Sequence, residues 1–481
     1  MSRLVRQLLS AFGLVALACT QAPERAAPRH LIVVTVDTLR ADHLTAWGYA
    51  RGTSDAAGAA KRGSAAGFTL DELAAQGVRF AQAYTPRGET FPALCSLFSG
   101  KPPPETGVLG NRETLPATVT TLAERLKAAG FHTAAFTTNK LLVPGSGIEQ
   151  GFDVFESDFG DERDARVLER AAAWIEAQPS GARVFAWVHL MGPHLPYEPR
   201  PSGGVDFARL FADPAYAGTA NGSREYVDAA YTQQKSLTDT DRARLVALYD
   251  GEIARVDQLV SRFAGRLAQP TPSGASTLDD ALFALCADHG EELGERSGYF
   301  GHSKSISSAV LQVPLFLRWP RGVKAGLVRD DVALLEDVFP TVLATFGLAP
   351  ERGVRGLSLD RLARGERDER FAGRVAIGLW RFSMFSVADA RHRLVFNPDE
   401  LEPDEIPPGP YPIPAFALYD RAADPRETVD VSERDAARAR ELQAALRAWM
   451  RGLTPSTDPQ SPLSPERMRA LSEQGYAGGE K

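Results

Sequence analysis

Leu31-Ile32-Val33-Val34-Thr35-Val36 is a run of apolar and β-branched residues in which Thr35 is the single polar member. Such a run is typical of a strand that is buried on both faces of a parallel sheet. Asp37 follows it directly. A carboxylate at the end of a buried strand is costly unless it is hydrated, paired or bound to a metal. The stretch therefore predicts a parallel sheet and marks its edge as a place for chemistry.

Strands and helices alternate along the chain after this run. The pattern predicts helices over 69–76, 116–129, 162–177, 239–267 and 332–346, and strands over 78–84, 131–137, 184–189, 281–287 and 313–319. Thr69 and Glu72 have the spacing of a capping box at the start of the first helix. The alternation predicts an α/β fold over residues 30–365, with a large, mostly parallel sheet between layers of helices.

The pattern changes after residue 365. It predicts a β-hairpin over 382–387 and 393–397, a proline-rich loop over 403–414 and a helix over 433–451 capped by Ser432. We therefore expect a small α+β C-terminal subdomain over 366–452 and a tail over 453–481.

The segment 50–67 is rich in small residues and is predicted to be a mobile surface insertion.

The composition excludes several classes of protein. The 481 residues include 44% hydrophobic and 24% charged side chains, which is ordinary for a soluble globular chain. A net charge of −7 supplies no positive field, so nucleic acid is excluded as a partner. Three cysteines cannot form a disulfide scaffold. We expect Cys95 and Cys286 to be buried free thiols.

The first 19 residues indicate a signal peptide. Arg3 and Arg6 precede an apolar run over 8–18, which has the length of a signal h-region and is too short to span a bilayer. Small residues lead to Cys19, as in bacterial lipoprotein processing sites. We expect lipidation of Cys19, a tether over 20–29 and a lipid anchor on the periplasmic side of the bacterial cell envelope. The alternative is ordinary signal cleavage and a secreted protein, with Cys19 incidental.

A second strand end carries polar side chains. Asp288 and His289 follow the predicted strand 281–287. Ligands of parallel α/β sheets bind outside the carboxyl ends of the strands, so Asp37, Asp288 and His289 can face one crevice. Two carboxylates and an imidazole are competent ligands for a divalent metal. An aspartate after a strand is more often a helix cap when it is taken alone. The combination favours a metal site.

Several longer motifs occur along the chain in a fixed order. They are Val36-Asp37-Thr38-Leu39-Arg40-Ala41-Asp42-His43-Leu44, Leu73-Ala74-Ala75-Gln76-Gly77-Val78-Arg79-Phe80, Gly192-Pro193-His194-Leu195-Pro196-Tyr197, Leu248-Tyr249-Asp250-Gly251-Glu252-Ile253, Asp288-His289-Gly290-Glu291-Glu292-Leu293-Gly294, Val313-Pro314-Leu315 and Ala417-Leu418-Tyr419-Asp420. Their order and spacing resemble the sulfatase family within the alkaline-phosphatase superfamily. The resemblance covers residues 30–452 and implies an α/β fold and chemistry on phosphate or sulfate esters.

The chain departs from the family at the nucleophile. Sulfatases carry C/S-x-P-x-R there, and the Cys or Ser is oxidised to formylglycine; this chain has Thr90-Phe91-Pro92-Ala93-Leu94. Threonine cannot become formylglycine, so we expect none, and Leu94 replaces the arginine. Cys95 lies five residues after Thr90 without the Pro and Arg that follow a modified cysteine. We expect Cys95 to pack in a helix as a small apolar residue.

The threonine at this position favours phosphate esters and phosphonates over sulfate esters as substrates. A formylglycine hydrate expels sulfate by returning to its aldehyde, an exit that a threonine sulfate lacks. A threonine phosphate can be cleared by in-line attack of water or an alcohol at phosphorus. The set Asp37, Thr90, Asp288 and His289 is similar to the metal ligands of the family's threonine branch, which includes phosphonate and phosphodiester hydrolases and phosphotransferases. The imidazole favours Mn²⁺ or Zn²⁺, with Ca²⁺ as the alternative.

The resemblance also assigns residues around the substrate. Asn111 stands where family members place a polar substrate contact. His194 is implied to contact the transferring group or to protonate the leaving oxygen. Lys304 matches a family cation that neutralises the equatorial oxygens, a role that His302 could share. Gly192 replaces the aspartate that usually precedes the Pro-His pair.

Together these patterns predict a metal-dependent hydrolase or transferase that acts on a small-molecule, glycan or lipid ester of phosphate or sulfate. One alternative is a sulfatase that uses an unmodified threonine. The other is a non-catalytic protein that binds anionic glycans or lipids. We expect the four ligand candidates to converge at one sheet edge and Thr90 to begin a helix. His189, inside a strand, is predicted to be a core histidine, and Lys140 a solvated loop residue.

Overall fold

The computed structural model describes residues 27–458, apart from 233–235, 272–273, 297, 381–382 and 398–412. The predicted signal peptide, Cys19, most of the tether, most of the proline-rich loop and most of the tail lie outside the described residues. Among the residues that are described, no helix is long and apolar enough to cross a membrane.

The run 31–36 forms the expected strand, and its residues are buried along their whole length. In chain order the strands are β1 (His30–Val36), β2 (Val78–Tyr84), β3 (Phe131–Thr137), β4 (Val154–Ser157), β5 (Arg183–Leu190), β6 (Ala281–Ala287), β7 (Glu292–Leu293), β8 (Phe300–Gly301), β9 (Leu315–Arg318), β10 (Leu327–Leu334), β11 (Ala376–Trp380), β12 (Met384–Ala388), β13 (His392–Phe396) and β14 (Phe416–Asp420).

The helices lie between and after these strands. They are α1 (Ala56–Arg62), α2 (Leu70–Ala75), α3 (Thr90–Ser99), α4 (Pro103–Thr106), α5 (Leu122–Ala128), α6 (Arg163–Glu176), α7 (Phe207–Leu210), α8 (Arg224–Tyr231), α9 (Asp239–Leu267), α10 (Ser308–Leu311), α11 (Val338–Thr345), α12 (Asp360–Ala363) and α13 (Ala436–Gly452).

Eight strands form the central sheet, in the order β10-β2-β9-β6-β1-β5-β3-β4. Strand β1 pairs in parallel with β5 and β6 on its two sides. Strand β9 runs antiparallel to β2 and β6, whereas the remaining pairs of this sheet are parallel. The large, mostly parallel sheet flanked by helices is confirmed.

The C-terminal part forms a second sheet. Strands β11 to β14 pair in antiparallel sequence, so the predicted hairpin is confirmed as β12 and β13. Helix α13 packs on β12 and β13 and buries Leu442 and Leu446. Ser432 is not its cap, because the helix begins at Ala436 and the Ser432 hydroxyl donates to Asp430 instead.

Two helix predictions are too long. The predicted helix over 332–346 begins inside β10, whose last residues pair with β2, and α11 starts only at Val338. The predicted helix over 116–129 is reduced to α5, which starts after a capping box of Thr121 and Glu124. The capping box of Thr69 and Glu72 on α2 is confirmed.

The segment 50–67 is anchored by buried side chains, and its predicted mobility stays a prediction. Helix α1 lies within it, and the Arg62 side chain is 1% exposed. Arg62 Nε donates to the buried carboxylate of Asp257 on α9 at 3.0 Å, and Ser64 Oγ donates to the same carboxylate at 2.7 Å. This buried ion pair fastens the segment to the body of the protein, a long-range contact that small residues do not signal.

Glu427 links the C-terminal sheet to the main domain. Its buried carboxylate accepts hydrogen bonds from Arg393 on β13, from Arg296 after β7 and from Ser308 on α10. Burial alone would raise the pKa of Glu427, but the two arginines outweigh it and lower the pKa to about 2. The carboxylate is therefore a charged junction between β13 and the segments around residues 296 and 308.

Candidate active site

The central strands bring two carboxylates to one edge. Val36 and Ala287 are register partners at the ends of β1 and β6, so the residues that follow them meet. Asp37, Asp288 and His289 are buried, and one ligand atom from each lies within 4.8 Å of the others. The convergence of these three side chains is confirmed. Their use as metal ligands stays a prediction.

Burial sets the protonation of this cluster. It raises the pKa of Asp37 to about 7, against the opposing effects of hydrogen bonds from Asn139 and Thr90. Burial and the neighbouring Asp37 raise the pKa of Asp288 well above its usual range. Burial also lowers the pKa of His289 to about 3, so that its imidazole is neutral. Two carboxyl groups that repel each other are held beside an uncharged nitrogen donor.

The donor atoms fit a divalent cation. Asp37 Oδ1 and Asp288 Oδ2 are buried and have no hydrogen-bond partner in the described part of the chain. His289 Nδ1 lies 3.0 Å from the Gly290 carbonyl oxygen and must donate to it, which leaves the Nε2 lone pair free of a proton. That Nε2 is 3.6 Å from Asp288 Oδ2 and 3.9 Å from Asp37 Oδ1. Oxygen and imidazole donors in this combination suit Mn²⁺ or Zn²⁺.

Thr90 is the first residue of α3, as predicted. Its Oγ1 lies 3.4 Å from His289 Nε2. The hydroxyl is therefore beside the carboxylates and at the positive end of a helix. Cys95 is fully buried further along α3 and belongs to the hydrophobic core, which confirms its predicted packing. Cys286 is also a buried free thiol.

Asn111 is tied to the same helix start. Its Oδ1 accepts a hydrogen bond from the Phe91 N–H at 2.9 Å, one residue after Thr90. The side chain is buried, and its amide lies against the first turn of α3. The structure thus brings Asn111 next to the predicted nucleophile.

Three imidazoles lie in a row. The His302 ring stacks on His289 with centroids 4.2 Å apart and an angle of 28°. His302 Nε2 lies 3.3 Å from His194 Nε2. Lys304 follows two residues after His302, in the turn after β8, and is half-buried. His194 and His302 are thus brought to the cluster, whereas the contact of Lys304 with substrate remains a prediction.

Two residues beside Asp37 were missed as site residues. Asn139 Nδ2 donates to Asp37 Oδ2 at 2.7 Å. The signal was present, because Asn139 comes just after strand β3 at the same sheet edge. His189 is a buried strand residue, as predicted, and its Nδ1 lies 2.8 Å from Thr35 Oγ1. Its Nε2, however, is 3.5 Å from Asp37 Oδ2, which places this histidine at the site.

Two arginines, Arg163 and Arg224, add positive charge near the cluster. Arg163 on α6 helps to lower the pKa of Asp37 against the larger effect of burial. Burial lowers the pKa of His194 well below its usual range, and His302 and Arg224 lower it further. Arg224 Nη2 is 3.5 Å from the Leu195 carbonyl oxygen, next to His194. Buried carboxylates with two arginines nearby suit a metal ion together with an anionic substrate.

The comparisons with known proteins agree with this geometry. A family model described as Sulfatase matches residues 29–348. Choline-sulfatase of Rhizobium meliloti is 25% identical over 425 residues, covering 76% of this chain and 77% of that protein. N-acetylglucosamine-6-O-sulfatase of Bacteroides thetaiotaomicron is 22% identical over 373 residues, covering 62% of this chain and 66% of that protein.

A solved structure shares the architecture. The phosphonate monoester hydrolase of Agrobacterium radiobacter superposes with a TM-score of 0.67 at 20% identity, covering 88% of this chain and 95% of the other. This likeness supports the fold, and the family match extends over most of the α/β domain. The chain therefore belongs to the sulfatase family and is an ester hydrolase of the alkaline-phosphatase superfamily.

Proposed function

We propose that the protein is a metal-dependent hydrolase or transferase of phosphate esters or phosphonates that uses Thr90 as its nucleophile. The observation that carries the proposal is the position of the Thr90 hydroxyl, which begins α3 and lies 3.4 Å from His289 Nε2. The serine and cysteine that the family modifies are absent from this position, and Cys95 faces the core.

Asp37, Asp288, His289 and Thr90 would hold the ion. A bound divalent cation would supply Lewis acidity at the site and lower the pKa of the Thr90 hydroxyl. Asn139 orients the Asp37 carboxylate through its 2.7 Å hydrogen bond. The N–H groups at the start of α3 add to the positive field that an anionic group meets.

The remaining side chains would protonate the leaving oxygen and stabilise the negative charge on the transferred phosphoryl group. The Thr90 hydroxyl gives up its proton to water and its Oγ attacks phosphorus, while the bond to the leaving oxygen breaks and a protonated His194 or His302 supplies a proton to that oxygen. Water or an alcohol then attacks the threonine phosphate in line and gives its proton to the same histidine. The bond between phosphorus and Thr90 Oγ breaks, and the Thr90 oxygen takes a proton from water and becomes a hydroxyl again. Lys304 and Asn111 are proposed to contact the non-bridging oxygens.

A sulfatase that uses unmodified threonine is the second candidate. It is favoured by the curated relatives, which are named as sulfatases. Against it, a threonine sulfate has no elimination route, so turnover would stop after one cycle unless water attacks sulfur. A non-catalytic role is disfavoured because all four ligand candidates are present and adjacent.

We also propose that the chain is exported and held by a lipid on Cys19 at the periplasmic face of the cell envelope. The support is the sequence of residues 1–19, with its two arginines, apolar run and small residues before the cysteine. Its substrate would then be a small-molecule, glycan or lipid ester outside the cytoplasm. Globomycin-sensitive processing of the full-length protein, lost in Cys19→Ser, would test the anchor.

The substrate panel tests the reaction. Purified protein loaded with Mn²⁺ or Zn²⁺ is assayed on aryl phosphate monoester, phosphodiester, phosphonate and sulfate substrates. We expect phosphorus substrates to turn over, Thr90→Ala to lose activity by a factor on the order of 10³ or more, and Thr90→Ser to keep part of it. Cys286→Ala is the control and should be active. Turnover confined to sulfate, or undiminished in Thr90→Ala, would refute the proposal.

A further inference from the structure

Arg163 and Arg224 lie near His194, although they come from different parts of the chain. Arg163 is the first residue of α6, and Arg224 is the first residue of α8. Arg163 is half-buried, whereas Arg224 is exposed. Within the described ranges, neither guanidinium has a carboxylate within ion-pair distance. A charge that is partly withdrawn from water and has no partner is costly, so these two cations are available to bind an anion.

The acidic side chains nearest to Arg163 in the chain are engaged elsewhere. Asp158 pairs with Arg166, Asp161 with Arg200 and Glu162 with Arg255. Asp164 accepts hydrogen bonds from the N–H groups of Met191 and Gly192. The charge of Arg163 is therefore not neutralised by its neighbours. It acts on the site instead: burial raises the pKa of Asp37, and Asn139 and Arg163 oppose that rise.

Arg224 turns toward the loop of His194 rather than along its own helix. Its Nη2 lies 3.5 Å from the Leu195 carbonyl oxygen, which also accepts a hydrogen bond from His194 Nδ1 at 2.5 Å. Asp228 lies four residues further along α8, a spacing at which arginines commonly pair with acids, but no such pair is formed in the described part of the chain. One long contact leaves most of the five N–H donors of this guanidinium for a ligand.

The place of the two arginines in the reaction follows from His194. Burial, His302, Arg224 and Arg163 all lower the pKa of this imidazole, so both arginine charges are felt there. In the proposed function His194 serves the leaving oxygen. In-line displacement puts that oxygen opposite Thr90. The alcohol part of the substrate therefore lies on the side of the two arginines.

We propose that Arg163 and Arg224 form a subsite for a second anionic group, carried by the alcohol that leaves. The substrate is then a phosphate ester or phosphonate whose alcohol part bears a carboxylate or a further phosphate. The inference rests on the proposed function, because His194 defines the leaving side. Guanidinium groups bind carboxylate and phosphate through two parallel hydrogen bonds, which gives selectivity as well as affinity. The two arginines would thus select among alcohols that the carboxylate cluster does not contact.

A matched pair of leaving groups tests the subsite. Phosphonate monoesters and sulfate monoesters are made from 3-hydroxybenzoate and from 3-hydroxybenzamide, and kcat/KM is measured with the metal-loaded, full-length protein. The neutral carboxamide withdraws more electron density than the carboxylate, so the acidity of the leaving group alone favours the amide ester. We expect the wild type to prefer the carboxylate ester instead, roughly tenfold to a hundredfold. A third phenol that bears a phosphonomethyl group shows which of the two anions is preferred.

Variants assign this preference to the two arginines. Arg163→Gln and Arg224→Gln should each reduce the carboxylate-to-carboxamide ratio of kcat/KM about tenfold, and the double variant should bring it near one. Arg163→Lys and Arg224→Lys keep the charge without the planar fork and should retain part of the ratio. Arg209→Gln is the matched control, because Arg209 is exposed and pairs with Asp206, and it should keep the wild-type ratio. Thermal melting shows whether each variant is folded.

The outcomes separate the subsite from the proposed function. A wild-type ratio near one, or a ratio that the double variant leaves unchanged, would overturn the subsite alone. An equal loss on both esters would also overturn it, because that loss marks a structural role. Turnover confined to sulfate esters, with the carboxylate preference intact, would overturn the phosphorus chemistry and support the subsite. Failure to cleave any of the esters would overturn both.

Discussion

Asp164 Oδ2 accepts a hydrogen bond from the Gly192 N–H at 3.1 Å and lies 3.4 Å from the point that a Cβ on Gly192 would occupy. Its Oδ1 accepts the Met191 N–H at 2.9 Å. Sulfatase motifs usually carry an aspartate at the position of Gly192. Here a carboxylate from α6 reaches the same place, so the loop that carries His194 is anchored from outside the motif.

The first prediction concerns this anchor. Asp164→Ala removes the acceptor of the buried Met191 N–H, which costs about 1–3 kcal/mol, and that of the half-buried Gly192 N–H, and it frees the loop before His194. We expect kcat on an aryl phosphonate to fall more than KM changes, with partial recovery in Asp164→Asn, which keeps one acceptor. Kinetics and melting temperatures of both variants provide the measurement. A lowered melting temperature with unchanged kcat would mean that Asp164 has only a structural role.

The second prediction concerns metal removal. A ligand that binds only the folded state stabilises it by about 2.7 kcal/mol at a hundredfold excess over Kd. We expect Mn²⁺ or Zn²⁺ to raise the melting temperature of the chelated protein, and EDTA to reverse the rise. Asp37→Asn should respond much less, whereas Asp153→Asn, at a half-exposed carboxylate away from the site, should respond like the wild type. Equal responses in all three proteins would argue against the cluster as the ion's site.

The third prediction concerns pH. Burial raises the pKa of Glu252 on α9 to about 7, from an ordinary value of 4.5. A carboxyl group with a raised folded-state pKa stabilises the fold fully below its unfolded pKa and loses that contribution as pH rises through its folded pKa. The loss between pH 4.5 and 7 amounts to about 3 kcal/mol at 1.36 kcal/mol per pKa unit.

Glu252→Gln should remove this pH dependence. The unfolding free energy of the variant, relative to wild type, should therefore rise by about 3 kcal/mol between pH 5 and pH 8. Denaturant titrations at both pH values measure it, with exposed Glu169→Gln as the matched control. Parallel pH profiles for wild type and Glu252→Gln would contradict the prediction.

The fourth prediction concerns the segment 50–67. Arg62→Ala leaves the buried Asp257 carboxylate without its charge partner, and breaking such a pair costs about 3–5 kcal/mol. Proteolysis should then cut within 50–67, where the wild type resists. Lys61→Ala, one residue away and exposed, should behave as wild type. The double variant Arg62→Met/Asp257→Leu should recover part of the stability, because neither charge is left buried alone, although the Leu70 N–H and the Ser64 hydroxyl lose their acceptor.

The sequence predicted the fold where local pattern and tertiary position agree. The run 31–36 is buried on both faces of the sheet, and its composition expresses that position directly. The end of strand β10 was predicted as helix because the apolar residues 332–335 are separated from the apolar α11 by only two acidic residues, Glu336 and Asp337. Pairing with β2 decides that stretch, and pairing between distant segments leaves no mark in a short window.

Part of the site could also be predicted from the sequence. Asp37 and Asp288 could be found because strand ends of a parallel sheet share an edge. His189 was recognised as a strand residue, but which way its ring turns depends on the register of β5 against β1. Asp164 could not be found at all, because a helix residue that serves a loop elsewhere in the chain has no motif of its own.

The junction at Glu427 limits which C-terminal segments can replace the present one during evolution. Its partners, Arg296 and Ser308, lie on either side of His302, so the segment that carries this histidine is fastened to the C-terminal sheet. Replacing the residues after 365 by an unrelated domain would remove Glu427. Arg296 and Ser308 would then lose a hydrogen-bond acceptor, and the segment with His302 would be held less firmly. The two parts should therefore recombine in evolution only as a unit, although each has its own sheet.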